Sequence, residues 1–160
     1  MSKVNKIILN IIKWIIAIMF ILLTLVIFVQ IISRYFFEFP LAWSEELALT
    51  LMVWITFLGS AVVLETHDHI TIDFLVEKLS ERMKSLLRLI NFVLLFALFS
   101  IFVFGGWIMI ETTKNSITPG MQISSAWLYG GVFTGGILLS ITTLRHFVSE
   151  LKRFVSISKG

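Results

Sequence analysis

Four stretches of this chain contain no charged residue at all: Trp14–Ser33, Leu47–Leu64, Leu89–Ile110 and Ile123–Leu144. They run for 20, 18, 22 and 22 residues, 82 of the 160 in the chain. Asp, Glu, Lys and Arg make up 14% of the sequence, so an even scatter would put about a dozen charges there. A helix needs about 20 apolar residues to cross the hydrocarbon core at a rise of about 1.5 Å per residue. Each stretch is the right length for one crossing. An outer-membrane barrel would show short alternating segments instead of continuous apolar runs.

Composition points the same way. Apolar residues reach 58% and mean hydropathy is +0.96, beyond what so small a soluble domain could cover with polar surface. A disordered chain and a nucleic-acid module are excluded, and no nucleic-acid partner is expected. The absence of cysteine removes thiolate catalysis, disulfides and Cys-based metal sites. The expected fold is an all-α integral membrane protein of four transmembrane helices, a single membrane domain over residues 1–160. The first apolar run is too long for a signal peptide and lacks a small-x-small cleavage site, so it reads as a retained anchor.

Orientation follows from the basic residues. Lys3, Lys6 and Lys13 precede span one. Lys78, Arg82, Lys84 and Arg88 lie between spans two and three, and Arg145, Lys152, Arg153 and Lys159 follow span four. These eleven share one side, against Arg34 and Lys114 on the other. Both termini are expected in the cytoplasm. Tyr35, Trp43, Trp107 and Trp127 fall near outer ends and Trp14 near an inner one, as an aromatic belt requires. Trp54 falls mid-span and reads as a packing residue.

The connections carry the polar features. Ser44 is placed to cap span two, with Glu45 and Glu46 in its first turn, where the helix dipole favours them. The other reading is that one of them meets a partner subunit. Neighbours on a helix are about 100° apart, so only one can face a given surface. From Ile72 to Arg88, apolar positions 72, 75, 76, 79, 83, 86 and 87 form a helical stripe opposite charged residues. This predicts an amphipathic interfacial helix between spans two and three, with Ser80 and Glu81 placed to cap a new helix. Pro119-Gly120 marks a turn in the third connection.

Chemistry-bearing clusters are few, and nothing points to an enzyme. His67-Asp68-His69 with Asp73 has metal-ligand residue types, but a helix would set the two imidazoles about 200° apart, and no rigid fourth ligand is evident. A polar interfacial turn is the reading. Haem needs an axial His inside the membrane, and His67, His69 and His146 all lie outside the spans. Ion coupling normally shows as an intramembrane ionisable residue. The polar residues of the spans are mild, among them Thr24, Gln30, Thr50, Thr56, Ser60, Asn91, Ser100, Thr134 and Ser140, and no span contains proline. No cofactor is expected on this chain.

Span four is glycine-rich. Gly131 and Gly135 form G-x-x-x-G beside Gly130 and Gly136, and Ala126/Gly130 and Gly136/Ser140 extend the spacing. Small residues let helix backbones approach closely in lipid. The spacing fits both packing within the chain and docking on another subunit. Gly59-Ser60-Ala61 is a second close-approach site. Phe92, Phe96, Phe99, Phe102 and Phe104 read span three as lipid-facing or loosely packed.

Several motifs come in order: Ser33-Arg34-Tyr35-Phe36-Phe37, then Pro40-Leu41-Ala42-Trp43-Ser44-Glu45-Glu46-Leu47-Ala48, then Trp54 with Phe57-Leu58-Gly59-Ser60-Ala61, then His69-Ile70-Thr71-Ile72-Asp73. With them the chain resembles the DctQ-type small membrane subunit of tripartite ATP-independent periplasmic (TRAP) transporters. That resemblance implies four spans in the bacterial inner membrane with both ends inside. It also implies a scaffold beside a large membrane subunit that holds the substrate and sodium sites, and a periplasmic binding protein that delivers the solute. The family handles carboxylated solutes, including four-carbon dicarboxylates and sialic acids. Trp43, Glu45, Glu46, Gly59, His69 and Asp73 are then motif positions with structural or interface roles. A reading from a different class, a self-sufficient four-helix exporter acting as a homodimer, would require a membrane-embedded carboxylate.

Overall fold

The computed structural model describes residues 3–66 and 80–159. Four helices account for nearly all of them: α1, Lys3–Phe36; α2, Ala42–Thr66; α3, Glu81–Thr113; and α4, Ala126–Lys159. All four are long and apolar enough to cross a membrane. His67, Asp68, His69, Asp73 and most of the expected interfacial helix lie outside the described residues. The part that is described, from residue 81, runs without a break into span three.

The helices outgrow the charge-free stretches. At 34 residues, α1 is about 50 Å long, well beyond the roughly 30 Å hydrocarbon core. Charged residues end an apolar run without ending a helix, because lysine and arginine stems lie along the helix while their heads reach water. Span four errs the other way. Ile123, Ser124 and Ser125 are uncharged yet precede α4. Ser124 pairs with Ile117 in an isolated bridge, and its Oγ donates to the Lys114 carbonyl at 2.8 Å. That folded turn consumes the residues that a helix would have used.

Two caps can be compared with expectation. Ser80 caps α3: it is extended at φ −62° and ψ 151°, and its Oγ accepts from the Met83 amide. Ser44 is not a cap. The helix begins two residues earlier, and Ser44, fully buried, donates its hydroxyl to the Leu41 carbonyl at 2.6 Å.

In space the order differs from the chain. α1 packs on α2, α2 on α4, and α3 principally on α4, giving an open row instead of a closed bundle. Burial follows from this. On α1, Val26 is the residue that becomes buried, whereas α2 and α4 bury Leu51, Leu58, Ala61, Val62, Leu139 and Thr143. Both outer helices present large apolar side chains along their whole lengths, from Ile7 to Ile31 on α1 and from Leu86 to Met109 on α3.

Candidate functional site

The α2–α4 seam is where the small residues act. Trp54 lies over span four, with its indole N–H donating to the Trp127 carbonyl at 2.9 Å. A Cβ on Gly131 would lie 3.0 Å from Trp54 Cγ, and one on Gly130 would lie 3.3 Å from Trp54 Cζ2. One turn on, a Cβ on Gly135 would press into Phe57, whose backbone carbon would be 3.1 Å away. Gly131 and Gly135 are therefore occupied within the chain. On the other side of α4, Gly136 faces Val103 and Gly106 admits the Phe133 backbone at 3.1 Å. Each helical glycine costs about 1 kcal/mol of propensity, which the closer backbone packing offsets in lipid.

Gly59 behaves differently. No heavy atom of the chain lies within 4 Å of where its Cβ would be. The close-approach role expected of Gly59-Ser60-Ala61 within the chain falls to Ala61, which is buried; Gly59 and Ser60 face outward. The aromatic residues of α3 divide similarly. Phe96 and Phe104 are exposed, whereas Phe92 stacks on His146 and Phe102 meets Phe57 edge-on at 5.4 Å.

At the loop end, Glu45 and Glu46 point to different neighbours, as their angular separation requires. Glu45 accepts from Gln30 Nε2 of α1 at 3.2 Å. Glu46 accepts from the backbone amides of Gly120 and Met121 at 2.9 and 2.7 Å, clamping the third connection. Trp43 closes the same junction. A Cβ on Gly120 would lie 2.6 Å from the Trp43 amide nitrogen, so this position admits no side chain. Ser33 Oγ donates to the Phe39 carbonyl and fixes the first connection. Pro119-Gly120 signalled a turn in the sequence, but nothing there signalled that Glu46 would hold it.

At the other end, polar pairs tie the helices together. Glu150 accepts from Ser85 Oγ at 2.8 Å and lies 3.6 Å from Arg88. Arg145 pairs with Glu65 at 2.9 Å. Sequence spacing gave no hint of either pair, because both join residues far apart in the chain. Among the described residues, no group of three His, Asp or Glu side chains is placed to hold a metal ion.

These features define a multi-pass membrane protein in which a few polar groups join one helix to another while most hydroxyls bond back along their own helix. Residues 23–153 match the family described as tripartite ATP-independent periplasmic transporters, DctQ component, and the chain belongs to that family. A putative TRAP transporter small permease protein of Haemophilus influenzae is 24% identical over 130 residues, 81% of each chain. The sialic acid TRAP transporter small permease protein SiaQ of Vibrio cholerae is 28% identical over 136 residues, 82% of this chain and 76% of that one. The sialic acid TRAP transporter permease protein SiaT of Haemophilus influenzae is 29% identical over 127 residues, 79% of this chain but 21% of that protein. The matching segment there belongs to a much longer polypeptide. Family and fold together make this chain a multi-pass protein of the bacterial inner membrane.

Proposed function

We propose that the chain is the stationary small subunit of a sodium-driven TRAP transporter importing a carboxylated solute. Its partners are a large membrane subunit, which carries the substrate and sodium sites, and a periplasmic binding protein. The observation that carries this reading is the open row of helices, whose outer faces are apolar from end to end while no ionisable group lies in the four charge-free stretches. Ion coupling normally shows as such a group; a scaffold needs broad surface. The length of SiaT supports a large-subunit partner, because a relative of this chain is there continuous with a permease polypeptide. Two relatives named for sialic acid support that substrate at low identity, with four-carbon dicarboxylates as the other candidate. Trp43, Glu45, Glu46, Trp54, Gly131 and Gly135 are structural residues in this reading, and Gly59 faces the partner or lipid. His69 and Asp73, outside the described residues, keep the interface role that their motif positions imply.

The test is reconstitution. Proteoliposomes holding this chain, the large subunit from a neighbouring gene and the binding protein should take up labelled sialic acid or succinate under an inward sodium gradient. Omission of any of the three should abolish uptake. Transport by this chain alone would overturn the reading in favour of the homodimeric exporter.

A further inference from the structure

An open-sided cleft of about 110 Å³ runs between the terminal halves of α1, α2 and α4, lined by Ile8, Ile12, Ala61, Leu138 and Thr142. Its mouth, at the end carrying the termini, is formed by Glu65 and Arg145. We propose that this cleft seats the upper part of one acyl chain of an anionic phospholipid whose phosphate sits at Arg145.

Three observations lead there. First, the cleft is apolar along its depth, about 10 Å from Arg145 to Leu138 at helical rise, and charged only at its mouth, which is the polarity profile of a phospholipid in one leaflet. Second, the pair at the mouth is lopsided. The Glu65 side chain is 9% exposed and that of Arg145 is 50% exposed, so the pair shows its cationic member to the headgroups. A guanidinium binds phosphate through parallel N–H donors, and basic sites between membrane helices at the cytoplasmic side hold acidic headgroups. Third, α1 meets the row along one face, half-buried at Leu9, Ile12, Ile16, Met19 and Leu23 and buried at Val26, and the cleft is the gap its first turns leave against α2 and α4. Interiors are close-packed, and an unfilled gap forfeits dispersion contacts. An acyl chain restores them and joins α1 to the rest of the row.

The test uses the full chain, purified in detergent with its co-purifying partner and stripped of lipid. Phosphatidylglycerol, phosphatidylcholine or inorganic phosphate is then added back and bound species are counted by native mass spectrometry. One phosphatidylglycerol should be retained, with phosphatidylcholine held about tenfold more weakly and phosphate alone not retained. Arg145→Gln should lower retention about tenfold, Arg145→Lys should lower it less, and Ile141→Trp, at an exposed position that lines the cleft, should abolish it. Lys152→Gln, a charge removed elsewhere on α4, should change nothing. Circular dichroism identifies any variant that fails to fold; if Arg145→Gln does so, Arg145→Lys and Ile141→Trp decide. Equal retention of the two lipids, or retention unaffected by Ile141→Trp, would overturn the proposal. So would a photo-reactive residue at position 12 that cross-links to a protein chain instead of to lipid in intact membranes.

Discussion

The indole of Trp54 covers Gly131 so closely that a single added methyl would lie 3.0 Å from the ring, and the same indole donates to the backbone of Trp127. An aromatic side chain from mid-span two thus occupies the notch that the glycines of span four leave open. Of the two readings of the G-x-x-x-G spacing, this contact corresponds to packing within the chain.

Gly135→Leu should therefore damage the chain itself. Overpacking against Phe57 costs about 1–3 kcal/mol, so the chain expressed alone should lose thermal stability and folded yield in detergent. Recovery of any complex should fall in proportion. A variant of normal stability that fails to bind its partner would contradict the contact.

Gly59→Leu is the matching control. With no neighbour within 4 Å, the added side chain should not destabilise the lone chain and should recover up to about 1 kcal/mol of helix propensity. Thermal unfolding of the isolated chain measures this directly.

Glu46→Ala should release the third connection without unfolding the helices. Amides of Gly120 and Met121, which now donate to the carboxylate, should exchange hydrogen on the order of tenfold faster. Glu45→Ala should leave them unchanged, because its partner is Gln30 on α1.

Glu150→Ala should loosen the terminal ends of α3 and α4. It strands the buried Ser85 hydroxyl and removes an acidic neighbour of Arg88, at a cost of about 1–3 kcal/mol. Glu150→Gln, which keeps an acceptor, should lose less. Chemical denaturation in mixed micelles separates the two.

Topology can be tested without background labelling, because the chain has no cysteine. Asn115→Cys should react with a membrane-impermeant maleimide in intact cells. Ser156→Cys should react only after permeabilisation.

The sequence made the helices legible and their ends much less so. Absence of charge reports which segments lipid tolerates, but backbone hydrogen bonding sets where a helix stops. Lys6 and Lys13 therefore sit inside α1, while the uncharged Ile123 stays outside α4. The same limit applies to the site residues. Spacing marks Gly59, Gly131 and Gly135 alike as small, and only helix phase against a neighbour separates the one facing outward from the two packed against Trp54 and Phe57. Glu45 and Glu46 were legible as a pair that must diverge, but their acceptor roles toward Gln30 and the 120–121 backbone depend on a tertiary arrangement that no local pattern encodes. The Glu65–Arg145 and Ser85–Glu150 pairs are of the same kind.

The order of the helices in space also sets a schedule for assembly. The third helix has its main neighbour in the fourth, which the ribosome makes after it. Until residues 126–159 have entered the bilayer, α3 has little to lean on. A chain cut short in the 114–125 connection would leave a phenylalanine-rich helix in lipid without the surface it packs on.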